Sequence, residues 1–202
     1  DKIEGDELYS TEKGAQSALN GLYLELLDNS LYGQNLTYRM LDVFAQMYYT
    51  FNGHNSYQLS QINLNNSDVE KTVASVWKKA YKLIAECNVF LEQIELNQGI
   101  YNEKNYKLYR GEAIALRTYL HFDLLRLFGP ALSSDMNIME KDYIPYYNTP
   151  TDIPTSYLSG NEFIRFLMND IDEAIELLQD DIVKDFGPNI GSGFWSYRNF
   201  RM

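Results

Sequence analysis

Residues 110–130, RGEAIALRTYLHFDLLRLFGP, constrain the fold more than any other part of the chain. Tyr109, Ala113, Leu116, Leu120, Leu124 and Leu127 recur in steps of three and four and make one helical seam. Tyr119, Phe122 and Arg126 make a second seam beside it. A helix that is apolar on two adjacent faces has to be covered from more than one side. The spacing predicts a helix over residues 103–128, with Ala113 and Ala115 leaving room for a partner helix. Gly129 is expected to take the left-handed residue of the C-cap, and Pro130 forbids continuation.

The partner lies immediately upstream. Val69, Val73, Val76, Ala80, Leu83, Cys87, Phe90 and Ile94 alternate in steps of four and three, and Trp77, Ile84 and Leu91 widen that face. Ser67 with Glu70 reads as a capping box at its start, and Gly99 as its stop. The short turn that follows, Asn-Gln-Gly-Ile-Tyr-Asn, predicts an antiparallel hairpin. Ala15, Ala18, Leu19, Leu22 and Leu26 mark an earlier helix after a cap at Ser10. Leu36, Met40, Val43, Phe44, Met47 and Phe51 mark a second. A last one opens with Ser159 and Glu162 as a capping box and is expected to bury Phe163, Leu167, Ile171, Ala174 and Leu178. Residues 142–147 form at most a short extended piece. Residues 187–193 read as a Gly/Pro-rich loop and 194–202 as the first turn of another helix. The expected architecture is all-α, a single domain over residues 1–202 that is incomplete at its C-terminal end.

Composition removes several functions. The formal charge is −11, which repels phosphate backbones and anionic membrane faces, so nucleic acid is not an expected partner. No run approaches the ~20 apolar residues that span a bilayer. Cys87 is the lone cysteine and His54 and His121 the only histidines, too few for a thiolate or histidine metal site. No zinc-protease, phosphate-loop, dinucleotide or serine-nucleophile motif occurs, so no catalytic residue, metal or cofactor is assigned. His121, between Leu120 and Phe122, reads as a packing or surface histidine. Asp42 and Asp123 are expected to pair with Arg39 and Arg126, and Asp170, Asp172, Glu173 and Glu176 to form a solvated face.

Residues 52–66 carry a different chemistry. They hold five Asn, two Gln, one His and one Tyr, and no Asp, Glu, Lys or Arg. Amides offer donor and acceptor together and aromatic rings offer flat apolar faces, which suits a neutral polyhydroxylated ligand such as a glycan. Phe51, Asn52, His54, Asn55 and Tyr57 are the candidate ligand-binding residues. Ordinary turn chemistry accounts for an Asn-rich stretch equally well.

The residues of the 103–128 helix carry a family resemblance. Glu112, Ala113, Ala115, Leu116, Arg117, Tyr119, Phe122, Leu124, Phe128 and Gly129 resemble the hallmark helix of the SusD/RagB family of outer-membrane glycan-binding lipoproteins. Further matches follow in order. They are Leu8 to Glu12 with Ala18 to Tyr23, then Trp77, Tyr81, Ile84, Cys87 and Asn88, then Ile144-Pro145-Tyr146, and then Asp170, Ile171, Ala174, Leu177 and Leu178. Arg201-Met202 resembles the start of the family's next helix. The resemblance implies tetratricopeptide-like stacked helical hairpins with long loops and no catalysis. It also implies capture of an oligosaccharide or polysaccharide at the cell surface, in a nutrient-uptake system with a SusC-like TonB-dependent outer-membrane transporter. Attachment to the outer membrane would come only through a lipidated cysteine preceding Asp1. Two other readings fit the residues: a tetratricopeptide-like protein-interaction scaffold without a small ligand, and an all-α glycoside hydrolase with two converging carboxyls.

Overall fold

A computed structural model describes residues 8–130 and 137–181. The stretches read above as a loop at 187–193 and a helix start at 194–202 lie outside the described residues. In chain order the helices are α1 (Glu12–Glu25), α2 (Met40–Phe44), α3 (Tyr57–Ser60), α4 (Ser67–Leu96), α5 (Glu103–Phe128) and α6 (Gly160–Leu177). Short 3-10 turns stand at Gln98–Ile100 and Ile138–Glu140. Strands β1 (Asp142–Ile144) and β2 (Leu158–Ser159) pair antiparallel, with Asp142 opposite Ser159. The all-helical, tetratricopeptide-like reading of the sequence holds, with this small ribbon added. The chain divides into two compact units, residues 1–23 with 84–202 and residues 24–83.

In the first unit the main seams are buried, but the second seam expected on α5 is not: Tyr119, Phe122 and Arg126 are exposed, and the other covered face of α5 is Ile114, Arg117, Thr118 and His121. Ala15 and Leu19 of α1, Ile84, Cys87, Phe90 and Ile94 of α4, and Ala113, Leu116, Leu120 and Leu124 of α5 form its core. Burial of each large aliphatic or aromatic side chain contributes roughly 1.5–3 kcal/mol. The start of α1 is clamped to the start of α5. Glu12 accepts from the Asn102 backbone N–H at 2.8 Å, from Asn102 Nδ2 at 2.6 Å and from Asn105 Nδ2 at 3.2 Å. Tyr109 donates to the Glu12 carbonyl at 3.3 Å, and Tyr101 packs edge-on against Tyr109.

Helix ends show where local sequence succeeds and where it misleads. Ser159 and Glu162 form the expected capping box on α6. α4 instead starts on Asn66, whose Oδ1 accepts from the N–H groups of Asp68 and Val69, and α1 on Thr11, which accepts from Gly14 N–H. The stop of α4 is Leu96, and Gly99 lies in the following 3-10 turn. Gly129 ends α5 with an extended backbone (φ −84°), not a left-handed one. Its lack of a side chain matters sterically: a Cβ there would lie 2.4 Å from the Leu125 carbonyl oxygen.

α6 also departs from expectation. Phe163, Leu167 and Ala174 are buried, but Ile171 is exposed, in one stripe with Ile164, Met168 and Ile175. Asp170, expected on the solvated face, is buried against α5. Gly111, not the alanines beside it, is the close-approach point, since a Cβ there would meet Leu178 Cγ at 2.6 Å and Leu177 Cβ at 3.1 Å.

In the second unit Leu31, Leu36, Met40, Val43, Leu59, Val69, Val76, Ala80 and Leu83 form the core. Lys79 pairs with Glu25 and, at 3.3 Å, with Asp28. The helix expected through Leu36 to Phe51 is only Met40–Phe44. The chain turns away at Gln46, so Met47 and Phe51 leave the buried face.

Candidate functional site

The turn after α2 decides what residues 47–57 can present. Gln46 N–H donates to the Val43 carbonyl at 3.1 Å and Met47 N–H to the Asp42 carbonyl at 2.9 Å. This pair of hydrogen bonds is a Schellman stop, with Gln46 in the left-handed region at φ 55°. The chain then leaves the helix, and successive side chains emerge into solvent. Tyr49 is 88% exposed and Met47 71%, with Tyr48 and Phe51 a little over half exposed. Such a run of large apolar side chains in water is unusual unless something covers it.

Local bonds hold the run in place. Thr50 Oγ1 and Ser60 Oγ lie 2.7 Å apart, tying the segment to α3, and Ser60 also donates to the Tyr57 carbonyl at 2.8 Å. Tyr48 donates to Asp42 Oδ2 at 3.2 Å, and that bond holds its hydroxyl protonated, above its usual range. Asp42 therefore faces Tyr48, while Arg39 reaches Gln34 at 3.3 Å rather than Asp42. The expected pairing of Asp123 with Arg126 is present.

Three rings follow one another along this surface. Tyr49 and Phe51 have centroids 6.4 Å apart and planes inclined by 31°. Phe51 and His54 are 5.8 Å apart and inclined by 60°. The imidazole Nδ1 accepts from the Ser56 N–H at 3.1 Å, which leaves Nε2 as the outer nitrogen of an exposed ring. Asn52 and Asn55 are exposed on either side of His54. Of the candidates named from sequence, Phe51, Asn52, His54 and Asn55 share this surface. Tyr57 opens α3 and is half-buried. Tyr48 and Tyr49 join that surface too, although the helical periodicity of Leu36 to Phe51 runs straight through them. Their only sequence signal is their position beside an uncharged amide-rich stretch.

A cleft of about 570 Å³ lies between the start of α5 and the end of α6 with the chain after it. Its lining of Glu103, Lys104, Lys107, Leu108, Leu177 and Asp180 is mixed in charge and has no aromatic ring. Among the described residues no cluster of His, Cys, Asp or Glu is placed to hold a metal ion, and no helix is long and apolar enough to cross a membrane. The carboxyls of Glu25, Asp28, Glu103 and Glu162 are held below their usual range, chiefly by hydrogen bonds from Lys79, Ser30, Lys107 and Ser159 respectively.

His121 is not a ligand but a structural clasp. It is fully buried, its Nδ1 lies 3.0 Å from the Arg117 carbonyl, and its Nε2 accepts the Tyr147 N–H at 3.2 Å. Burial drives its pKa down to about 3. The ring is therefore neutral with its proton on Nδ1, stacked 3.9 Å from Tyr146.

Comparison with known proteins agrees with this architecture. Residues 6–189 match the SusD-like family model described as "Starch-binding associating with outer membrane". SusD-like protein P25 of Formosa agariphila is 25% identical over 135 residues, covering 64% of this chain and 25% of that protein. SusD-like protein P2 of the same organism is 24% identical over 183 residues, covering 87% and 33%. The chain thus spans a quarter to a third of the length of these relatives. A crystal structure of a SusD superfamily protein from Bacteroides thetaiotaomicron superposes with a TM-score of 0.67 at 22% identity, over 83% of this chain and 37% of that one. A SusD homolog from the same organism gives 0.62 at 21% identity, over 88% and 32%.

Proposed function

Since this chain belongs to the SusD-like family, described as starch-binding and associating with the outer membrane, we propose that it captures neutral oligosaccharides at the outer-membrane surface for uptake. The observation that carries this reading is the exposed row of Tyr49, Phe51 and His54, set in a stretch without formal charge and flanked by Asn52 and Asn55. Ring faces stack on the apolar faces of sugars, and amides exchange hydrogen bonds with hydroxyls. Capture is weak at each ring and adds along the glycan, which raises its local concentration.

The role is binding without catalysis. A glycoside hydrolase needs a pair of carboxyls flanking the scissile bond, and residues 52–66 hold no Asp or Glu. Passage inward falls to a SusC-like TonB-dependent transporter, with this protein held at the membrane by a lipid anchor.

Calorimetry of the full-length protein with soluble starch and with other neutral oligosaccharides tests the reading. Binding that disappears in the Tyr49→Ala/Phe51→Ala double variant, at unchanged melting temperature, supports it. Absence of binding to every neutral glycan, or full binding by the double variant, overturns it. The exposed stripe Ile164, Met168, Ile171 and Ile175 on α6 favours a second reading, a protein-interaction scaffold. Capture of a protein and no glycan is its signature.

A further inference from the structure

The segment that presents the rings ends at both sides in the same unusual way. After α3, Ile62 N–H donates to the Leu59 carbonyl at 3.0 Å and Asn63 N–H to the Gln58 carbonyl at 3.1 Å, with Ile62 at φ 50°. This is a second Schellman stop, matching the one at Gln46. Glycine dominates the left-handed position of such stops because a Cβ crowds the following carbonyl, and a β-branched residue is the worst fit. Strained positions of this kind persist only where the surroundings impose them.

At Gln46 the strain coincides with a local alternative. Met40, Val43, Phe44, Met47 and Phe51 are spaced to share one face of a continuous helix. Residues 45–51 contain neither glycine nor proline, and Gln is itself a good helix former. The residue type that should end such a helix stands just beyond, in Asn52-Gly53, with Gly53 already at positive φ (101°). A continued helix would also turn Met47 and Phe51 toward the face that holds the buried Met40 and Val43. What opposes it is local: the Thr50 to Ser60 contact and the Tyr48 to Asp42 bond.

We propose that residues 46–52 are a two-state element: a stopped state with the rings outward, as observed, and a continued α2 that runs to Asn52 and turns Met47 and Phe51 inward. Oligosaccharide binds only the stopped state and so draws the population toward it. This coupling rests on the glycan reading above; the two-state element itself does not.

Hydrogen exchange of the amides of residues 46–52 in the full-length protein, with and without maltoheptaose, tests both parts. Gln46→Gly relieves the left-handed strain and disfavours the continued helix, so it lowers amide protection over 47–52 and tightens maltoheptaose binding several-fold. Gln46→Ala favours the helix, so it raises protection there and weakens binding by a similar factor. Gln46→Asn, which tolerates the left-handed region, follows the Gly variant. Ile62→Gly leaves protection over 47–52 unchanged, because no helix-compatible run follows it. Gln46 is exposed, so none of its variants threatens the core. Equal protection in wild type, Gln46→Gly and Gln46→Ala overturns the two-state element. Protection that responds as stated while no form binds maltoheptaose or any other neutral oligosaccharide keeps the element and removes the glycan reading.

Discussion

Arg117 and Asp170 meet across 53 residues of sequence, with the guanidinium Nε 3.0 Å and one terminal nitrogen 2.7 Å from the same carboxylate oxygen. The other terminal nitrogen donates to Asn88 Oδ1 at 2.8 Å and to the Asn148 carbonyl at 3.0 Å. Tyr146 donates to that Asp170 oxygen at 2.7 Å. Asn88 Nδ2 in turn donates to the carbonyls of Tyr147 and Thr149. One buried network thus fixes α5 to α6 and holds the chain after β1 to α4.

Removing one member leaves a buried charge without its partner, which typically costs about 3–5 kcal/mol. Arg117→Met is expected to lower unfolding stability by that order in urea denaturation. The Arg117→Met/Asp170→Leu double variant should lose less than the sum of the two single changes. Arg117→Lys should not rescue, because one ammonium cannot span Asp170, Asn88 and the Asn148 carbonyl in the geometry of the planar fork. Additive losses in the cycle would show that the two residues are energetically independent.

His121 sets a pH dependence. Its folded pKa, about 3, lies below the unfolded value near 6.5. The unfolded chain therefore binds the extra proton first as pH falls, so the stability is whole above about pH 6.5 and drains away between there and pH 3. By pH 5 the loss is on the order of 2 kcal/mol from this residue. Thermal melts from pH 7 to 5 should fall accordingly, and His121→Phe should flatten that slope even if it melts lower throughout.

Gly111 has no room for a methyl group. With Leu178 Cγ 2.6 Å and Leu177 Cβ 3.1 Å from where its Cβ would stand, Gly111→Ala forces α5 and the end of α6 apart. Overpacking of this kind costs about 1–3 kcal/mol, which outweighs the helix propensity gained. A Gly111→Ala variant as stable as wild type in chemical denaturation would show that the two leucines give way freely.

The exposed rings should be dispensable for folding. Tyr49→Ala is expected to change stability by no more than about 0.5 kcal/mol, whereas Phe90→Ala, in the core, should cost about 3–5 kcal/mol. Differential scanning calorimetry on the two variants separates a surface platform from a hidden part of the core. A large loss at Tyr49 would place that ring among the structural residues.

The range of each force decides whether its outcome can be read from sequence. Periodicity and caps are local, so α4, α5 and the Ser159–Glu162 box could be read from spacing alone. The residue identities on α5 also carried the family. A period says which side of a helix is apolar, yet not whether a buried carboxylate lies on it. Asp170 sits among Asp172, Glu173 and Glu176 in sequence, and only the arrival of Arg117 makes it a core residue. Likewise Met47 and Phe51 keep the helical spacing of Met40 and Val43, while the Schellman stop at a non-glycine residue turns them into solvent.

The all-helical architecture, the main hairpin and the family are legible in the chain alone, because they depend on neighbours three and four residues apart and on a residue pattern. Tertiary structure decided which polar groups are buried, where two helices touch through Gly111, and that the rings of Tyr49, Phe51 and His54 lie in one exposed row. Those outcomes depend on partners distant in sequence or on a backbone conformation that its residue type does not favour, and neither leaves a periodic trace.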